Sequence, residues 1–422
     1  QYALLQKPTK GDKINASISL RFGDENSLMN KKYAPYLLAS MLKTGTSTRS
    51  RKQISDELDR IKTDISFFGN PNGLVINVST DKQHLAAALT LLEDLLKNPK
   101  FDEAEFEKVK LDSKADIEAY KNDPQSLASE KLSKLSTQYP KGHPNYAASS
   151  DEWLEELAAT SLDEVKTFYK DFYGADNSIS TFVGELDKPA VTGFLNKTFG
   201  VWNSKMKFAT VAPRYFDVKG TTETINTPDK TNAIVLGSIN VNISEKHNDY
   251  AAMFMANELL GGGAFLSSRI PLRLRENEGM SYGAGTFLNS NFKFDVSTWG
   301  LYAAFNPVFK GRLDSALRQE VDKAITTGFT KDELEKSKTA WLEGNKTMLG
   351  MNDFLAQQLR WYIRDGRDLA EFTDFENKIK GLSLESVNTA LRKYFDRTKL
   401  VMVYGGDFEK GNTDKPAEKK GF

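Results

Sequence analysis

The feature that most constrains this chain is an internal repeat. DKINASISL, beginning at Asp12, has a partner in DKTNAIVLG, beginning at Asp229, 217 residues on. FDEAEFEKVK at Phe101 is echoed by FTKDELEKSK at Phe329, an offset of 228. SLDEVKTFYKDFYGADNSISTFVGEL at Ser161 is echoed without a gap by SLESVNTALRKYFDRTKLVMVYGGDF at Ser383, an offset of 222. Three matches in one order at nearly one offset mark a duplication with small insertions, so the chain folds as two copies of one domain. Its 422 residues agree, because single cores stop growing at about 250–300 residues.

Each copy follows one programme. In the first, Ala16, Ile18, Leu20 and Phe22 alternate along a strand, which leads into a helix of about 12 residues with Tyr33, Leu37 and Met41 on one stripe. A second helix (SRKQISDELDRIK) precedes the hairpin ISFFGNPNGLVINVST, whose turn lies at Asn70 to Gly73. Helical patterns fill residues 82–96 and 102–120, and the copy closes with a helix and the strand 179–183. Strands, hairpins and long helices in this mixture predict an α+β fold, each copy a largely antiparallel sheet with helices packed on it. The domains are expected at 1–204 and 222–410, with a linker at 205–221 and a loose polar tail at 411–422 (GNTDKPAEKKGF). The chain begins at Gln1 without a methionine, which predicts a removed leader or a piece of a longer protein.

Composition narrows the function classes. Lys and Arg number 57, as do Asp and Glu, and this neutral balance argues against a general nucleic-acid or membrane-surface binder. No apolar run approaches the roughly 20 residues of a membrane span. The absence of cysteine removes disulfides, thiolate metal sites and cysteine nucleophiles together, and leaves the compartment open.

The three histidines, His84, His143 and His247, are far apart, and none has a second ligand at helical spacing. No zinc site of the usual hydrolase kind can be assembled from them. Gly279-Met-Ser-Tyr-Gly283 matches the serine-hydrolase elbow in letters, but helix precedes it, strand follows it and no histidine lies beyond His247. Gly261 to Gly263 reads as a helix cap, or as a place where backbone approaches a ligand. Segment 267–282, SSRIPLRLRENEGMSY, is the most informative. One reading is a solvated helix whose arginines pair with nearby carboxylates, each pair worth about 0–1 kcal/mol. The other uses Arg275 and Tyr282, a guanidinium and a phenol able to hold a peptide carbonyl or an oxyanion.

With these motifs in view, nearly the whole chain resembles the pitrilysin/insulinase (M16) family of zinc metallopeptidases. Such proteins pair tandem homologous domains of the LuxS/MPP-like type, and two such pairs close around a peptide-degrading chamber. The active half carries an inverted H-x-x-E-H zinc motif in a context such as HFLEHMLFKGT. The corresponding segment here is YLLASMLKTGT, from Tyr36 to Thr46. It keeps Met41, Leu42, Gly45 and Thr46, but Tyr36 and Ser40 stand at the histidine positions and Ala39 at the glutamate position. The third ligand position falls at Asp116. One remaining carboxylate cannot hold zinc, so the resemblance implies no metal in this chain and zinc in a catalytic half elsewhere. The stretch SRIPLRLRENEGMSYGAG is similar to the S-R-L-x-x-x-L-R-E-x-x-G-L-S-Y segment of the non-catalytic half, whose arginine and tyrosine bind substrate beside the scissile bond. They map to Arg275 and Tyr282.

The resemblance thus implies a zinc-free half or partner subunit of a metalloendopeptidase, inactive alone, which closes a peptide chamber with a catalytic half. The glycine turn at Gly261 is expected to shape the chamber wall. The alternative is a non-enzymatic scaffold or peptide-binding protein on the same fold. Family habit implies a periplasmic location, with the cytoplasm as the alternative.

Overall fold

The computed structural model describes residues 1–31, 33–263 and 268–409; the expected tail at 411–422 and Ser267 lie outside the described residues. In chain order the first half contains strands β1 (Tyr2–Gln6) and β2 (Lys13–Arg21), helices α1 (Ala34–Met41) and α2 (Arg51–Arg60), the hairpin β3 (Asp64–Asn70) and β4 (Gly73–Asp81), helices α3 (Leu85–Lys97), α4 (Glu103–Tyr120), α5 (Pro124–Ser136), α6 (Ser150–Ala159) and α7 (Leu162–Phe172), strand β5 (Ile179–Gly184) and helix α8 (Lys188–Phe194). The second half repeats the plan. It has β6 (Thr221–Asn226), β7 (Ala233–Val241), α9 (Tyr250–Asn257), the short α10 (Arg269–Pro271), β8 (Ser281–Asn289) and β9 (Ser297–Phe305), then α11 (Lys310–Thr326), α12 (Lys331–Leu349), α13 (Asn352–Asp365), α14 (Ala370–Gly381), α15 (Leu384–Tyr394) and β10 (Val401–Gly406).

The chain forms two compact units, and these do not coincide with its two halves. The first contains Gln1–Ile117, Tyr139–Ala212 and Lys346–Leu369; the second contains Glu118–Gln138, Pro213–Asn345 and residues from Ala370 onward. Helix α5 of the first half therefore belongs to the second unit, and α13 of the second half to the first.

In the first unit the sheet runs β1-β5-β2-β4-β3. Only β1 and β5 pair in parallel; the other neighbours are antiparallel. The sheet is thus mixed, and its parallel edge strand was not marked by the alternation that revealed β2. Side chains alternate faces along a strand. Ile14, Ala16, Ile18 and Leu20 accordingly enter a core with Leu37, Leu38 and Met41 of α1 and the apolar stripes of α3 and α7. Helix α1 spans only 8 residues, shorter than the stripe from Tyr33 predicts. Beyond it Thr46 Oγ1 bonds Asp94 (2.8 Å), which also pairs with Arg49. That buried carboxylate fixes the GTSTR turn, and Ser50 and Gln53 then form a reciprocal capping box for α2.

In the second unit the sheet has the same topology, β6-β10-β7-β9-β8, again with one parallel pair, β6 with β10. Ala233, Val235, Ile239 and Val241 of β7 join Trp299 and Leu301 of β9 in its core, with α9, α11 and α15 packed over them. Helix α5 lies on the opposite face of this sheet, where Ala128, Leu132 and Leu135 meet Ile234, Leu236 and Val403. Gly405 admits it: a Cβ there would stand 2.4 Å from the Pro124 carbonyl. No described helix is long and apolar enough to cross a membrane.

Candidate functional site

The degenerate zinc segment lies on α1 in the first unit. Pro35 sits in the opening turn, where its missing N–H costs nothing. Tyr36 is half-buried in a ring cluster, 6.1 Å from Tyr33 and 5.6 Å from Trp153 between centroids. Burial pushes its phenol above the ordinary value, with Tyr33 and Glu156 adding to the shift. Ala39 is buried and faces β3, where Gly69 allows the approach. A Cβ at Gly69 would come 2.5 Å from the Pro35 carbonyl and 2.9 Å from the Ala39 methyl. Ser40 is exposed, and its hydroxyl donates back to the Tyr36 carbonyl (3.1 Å). Asp116 is an exposed residue of α4.

These residues do not fit zinc. Ala39 offers no donor atom and no base, Ser40 spends its hydroxyl on its own helix, and Tyr36 presents a phenol with a raised pKa. Among the described residues, no group of three or more His, Asp or Glu side chains is placed to hold a metal ion. The histidines are held separately. His84 bonds Asp81 (2.8 Å). His143 is fully buried, stacks on Tyr139 at 4.4 Å and accepts the Asn145 N–H. His247 accepts the Asp249 N–H (3.1 Å).

The Arg/Tyr segment lies in the second unit. What the sequence suggests is one helix is a single α turn, Arg269–Pro271, running into a π-helical turn, Leu272–Asn277. Gly279 stops it in the left-handed region (φ 61°), and β8 begins two residues later. The register of β8 against β9 slips between Ser281 and Gly283, which makes Tyr282 the extra residue of a β-bulge. A bulge of this kind re-aims the unpaired side chain, and Tyr282 is 61% exposed on the edge strand.

The three arginines separate by environment. Arg269 forms a forked pair with Glu333 (2.7 and 2.9 Å), donates to the Gly328 carbonyl and lies over the Phe329 ring. Arg273 bridges Glu278 (2.8 Å) and Glu320 (3.0 Å). Both are structural, as the solvated-helix reading expects. The Arg275 side chain is 50% exposed, and its guanidinium lies 3.7 Å from the carboxylate of its neighbour Glu276. The π turn and the bulge thus set Arg275 and Tyr282 at solvent on adjoining, mutually packed elements. Ser281, the serine of the elbow-like motif, donates to the Ala304 carbonyl (2.8 Å) and accepts the Gly283 N–H (3.2 Å), a backbone role.

A second π turn, Glu258–Gly262, continues α9 and packs against β8. It explains one glycine of the run: a Cβ at Gly261 would meet Thr286 at 2.9 Å. Sequence reasoning missed Glu258, whose signal was a lone carboxylate in the apolar stretch YAAMFMANELL. Burial pushes it up to about 7, against an opposing hydrogen bond from Asn257 (3.4 Å).

Comparison with known proteins matches the two halves of the chain to separate family models. Residues 4–147 match the family model described as insulinase (peptidase family M16), and residues 159–340 match the one described as peptidase M16 inactive domain. An uncharacterized zinc protease, YmxG, of Bacillus subtilis is 23% identical over 363 residues, 85% of each chain. A protein of Helicobacter pylori named non-peptidase homolog YmxG is 22% identical over 92% of this chain and 87% of its own. Among solved structures, a peptidase M16 inactive domain from Pseudomonas fluorescens superposes with a TM-score of 0.81 at 20% identity, covering 96% of this chain and 95% of that one.

Proposed function

The chain belongs to the peptidase M16 family, and from that premise we propose that it is the zinc-free half of an M16-type metalloendopeptidase, as a partner subunit or a joined segment. A catalytic half with an intact zinc motif supplies the metal and the water it activates. This half closes the peptide chamber and presents Arg275 and Tyr282 to the bound peptide. The guanidinium and the phenol donate hydrogen bonds to a peptide carbonyl and to the oxyanion that forms from it. The edge strand β8, which carries Tyr282, offers its free backbone groups to an extended substrate.

The observation that carries this reading is the sorting of the arginines. In one short segment the Arg269 and Arg273 side chains are largely buried in ion pairs, while Arg275 keeps half its side chain exposed and Tyr282 is turned outward by a bulge on the strand packed against its turn. The test is kinetic, on a quenched peptide library with the chain mixed with a catalytic half. Arg275→Ala is expected to lower kcat/KM of the mixture by about 10²–10³-fold, the cost of one oxyanion donor. Unchanged kinetics would overturn the role of Arg275. A chain that binds peptide but stimulates no catalytic half would favour the scaffold reading, with which the relative named non-peptidase homolog agrees.

A further inference from the structure

The two exchanged helices are equivalents in the repeat. Ala128 of α5 and Ala356 of α13 are 228 residues apart, the offset already seen between Phe101 and Phe329, and both pack against the strand that closes their copy. At that offset Leu132 corresponds to Arg360. The strands correspond as well, since Ser17 pairs with Thr181 where Leu236 pairs with Val403. The second unit therefore seals its helix to its sheet with leucine on leucine and valine. The first unit has Arg360, Ser17 and Thr181 in the same places.

Arg360 is 8% exposed. Its Nε donates to the Ser17 hydroxyl (2.9 Å), and Ser17 in turn reaches Asn77 of β4 (3.3 Å). Among the described residues no carboxylate pairs with Arg360, and its two Nη groups meet no protein acceptor yet are not sealed from solvent. The charged group that acts on it, Arg364, carries the same sign, stands one turn along α13 and is itself forked to Asp365 (2.9 and 2.7 Å). Desolvation, with Arg364 second, brings Arg360 down to about 10. Burying a guanidinium without a counter-charge is costly, and the twin shows that the fold does not need it.

The sheet that Arg360 reaches through Ser17 and Asn77 carries a surface that can receive a ligand. Helix α13 packs on β2, β5 and β1 and makes far less contact with β4 and β3, whose same face is partly open to solvent. There Phe68 is 55% exposed, and Ser66, Val75 and Asn77 are half-buried. We propose that Arg360 is a binding site for a carboxylate of an extended peptide laid across β4 and β3 beside α13. With Nε held by Ser17, the paired Nη groups remain for a planar, two-oxygen acceptor, the geometry a carboxylate supplies. Val75 and Phe68 provide the apolar contact that a neighbouring side chain requires. Peptide as the carrier rests on the reading above; the carboxylate preference rests on Arg360 alone.

The test is fluorescence anisotropy on the full chain with no catalytic half present, so that it fails or succeeds separately from the Arg275 kinetics. The probes are a fluorescein-labelled hexapeptide of alternating valine and threonine with one central glutamate and an amidated C-terminus, its glutamine counterpart, and the glutamine peptide with a free C-terminal acid. Wild type is expected to bind a carboxylate-bearing probe at least tenfold more tightly than the amidated glutamine peptide. The glutamate and free-acid arms tell a side-chain from a terminal carboxylate. Arg360→Leu, which installs the residue of the twin, should abolish that preference at an unchanged or higher melting temperature. Arg360→Lys keeps the charge without the fork and should lose most of the preference, which keeps the test open if the leucine variant fails to fold. Equal binding of all three probes by wild type, or an undiminished preference in the variants, would overturn the proposal.

Discussion

Helix α1 of the first unit and the π turn with its bulge in the second make opposite uses of the segments where family chemistry is expected. The first is closed: Ala39 is pressed on Gly69, Tyr36 is wedged among rings, and Ser40 bonds its own helix. The second is open: two arginines anchor the turn so that a third, with a tyrosine, stands at solvent. Losing donor atoms is therefore only half of what separates the first segment from a metal site. The space beside Ala39 has been taken up by packing, so restoring ligand side chains one at a time meets a steric barrier before any coordination chemistry.

The contrast can be broken most forcefully at Gly69. Gly69→Val puts side-chain atoms into the Pro35 carbonyl and the Ala39 methyl, and should cost about 3 kcal/mol or more by denaturant unfolding, as overpacking of a close contact does. A cost below about 1 kcal/mol would mean that α1 and β3 separate easily and that the segment is not closed. Next in size is Arg269→Ala, which strands the Glu333 carboxylate and should cost roughly 2–3 kcal/mol at neutral pH. Arg269 and the Thr330 hydrogen bonds hold that carboxyl down at about 2 against 4.5, overcoming its desolvation. A depressed carboxylate stabilises above its unfolded pKa, so this contribution is complete above about pH 4.5 and is lost as pH falls toward 2. The variant should show a shallower acid limb in a melting-temperature profile.

Glu258 gives a smaller effect of opposite sign. Its carboxyl is raised from 4.5 to about 7, so the folded state holds a proton that the unfolded chain has released. Stability should fall by on the order of 2 kcal/mol as pH rises from about 4.5 to 7 and stay level above that, and Glu258→Gln should remove the slope. A profile identical in both proteins would place Glu258 at solvent. The smallest effect on stability is expected at Arg275→Ala, within about 0.5 kcal/mol, because the turn hangs on Arg269 and Arg273. A larger loss would make Arg275 a third anchor and remove the contrast from which its binding role is argued.

Much of this architecture was legible in the chain. The repeat announced two like units, alternation from Ala16 to Phe22 marked β2 and its buried face, and the Asn70 turn marked the hairpin. What stayed hidden has physical causes. Strands β1 and β6 lie at sheet edges in parallel pairs, with neither a tight turn nor clean alternation to flag them. The π turns at Leu272 and Glu258 differ from α-helix by one residue in hydrogen-bond spacing, a difference that apolar periodicity does not resolve. At the candidate site the resemblance picked out Arg275 and Tyr282 as residues, while the bulge that turns Tyr282 outward depends on pairing with a strand beyond the motif. Arg360 reads in sequence as one more polar residue on a helix; only its packing on β2, more than 300 positions away in the chain, reveals it as buried.

The exchange of α5 and α13 has a consequence for how this protein comes into being. The sheet face of the first unit is not covered until residues 346–369 exist, although its strands are complete by Gly184. A nascent chain with the first repeat fully emerged therefore still exposes Thr181 and Ser17 to water and has its own α5 waiting for a partner sheet. Domains usually mature one after another as they leave the ribosome. Here the first unit cannot be completed until α13 of the second repeat has been made, and halves of the finished chain cut apart at Ala212 each hold a helix that belongs to the other's unit.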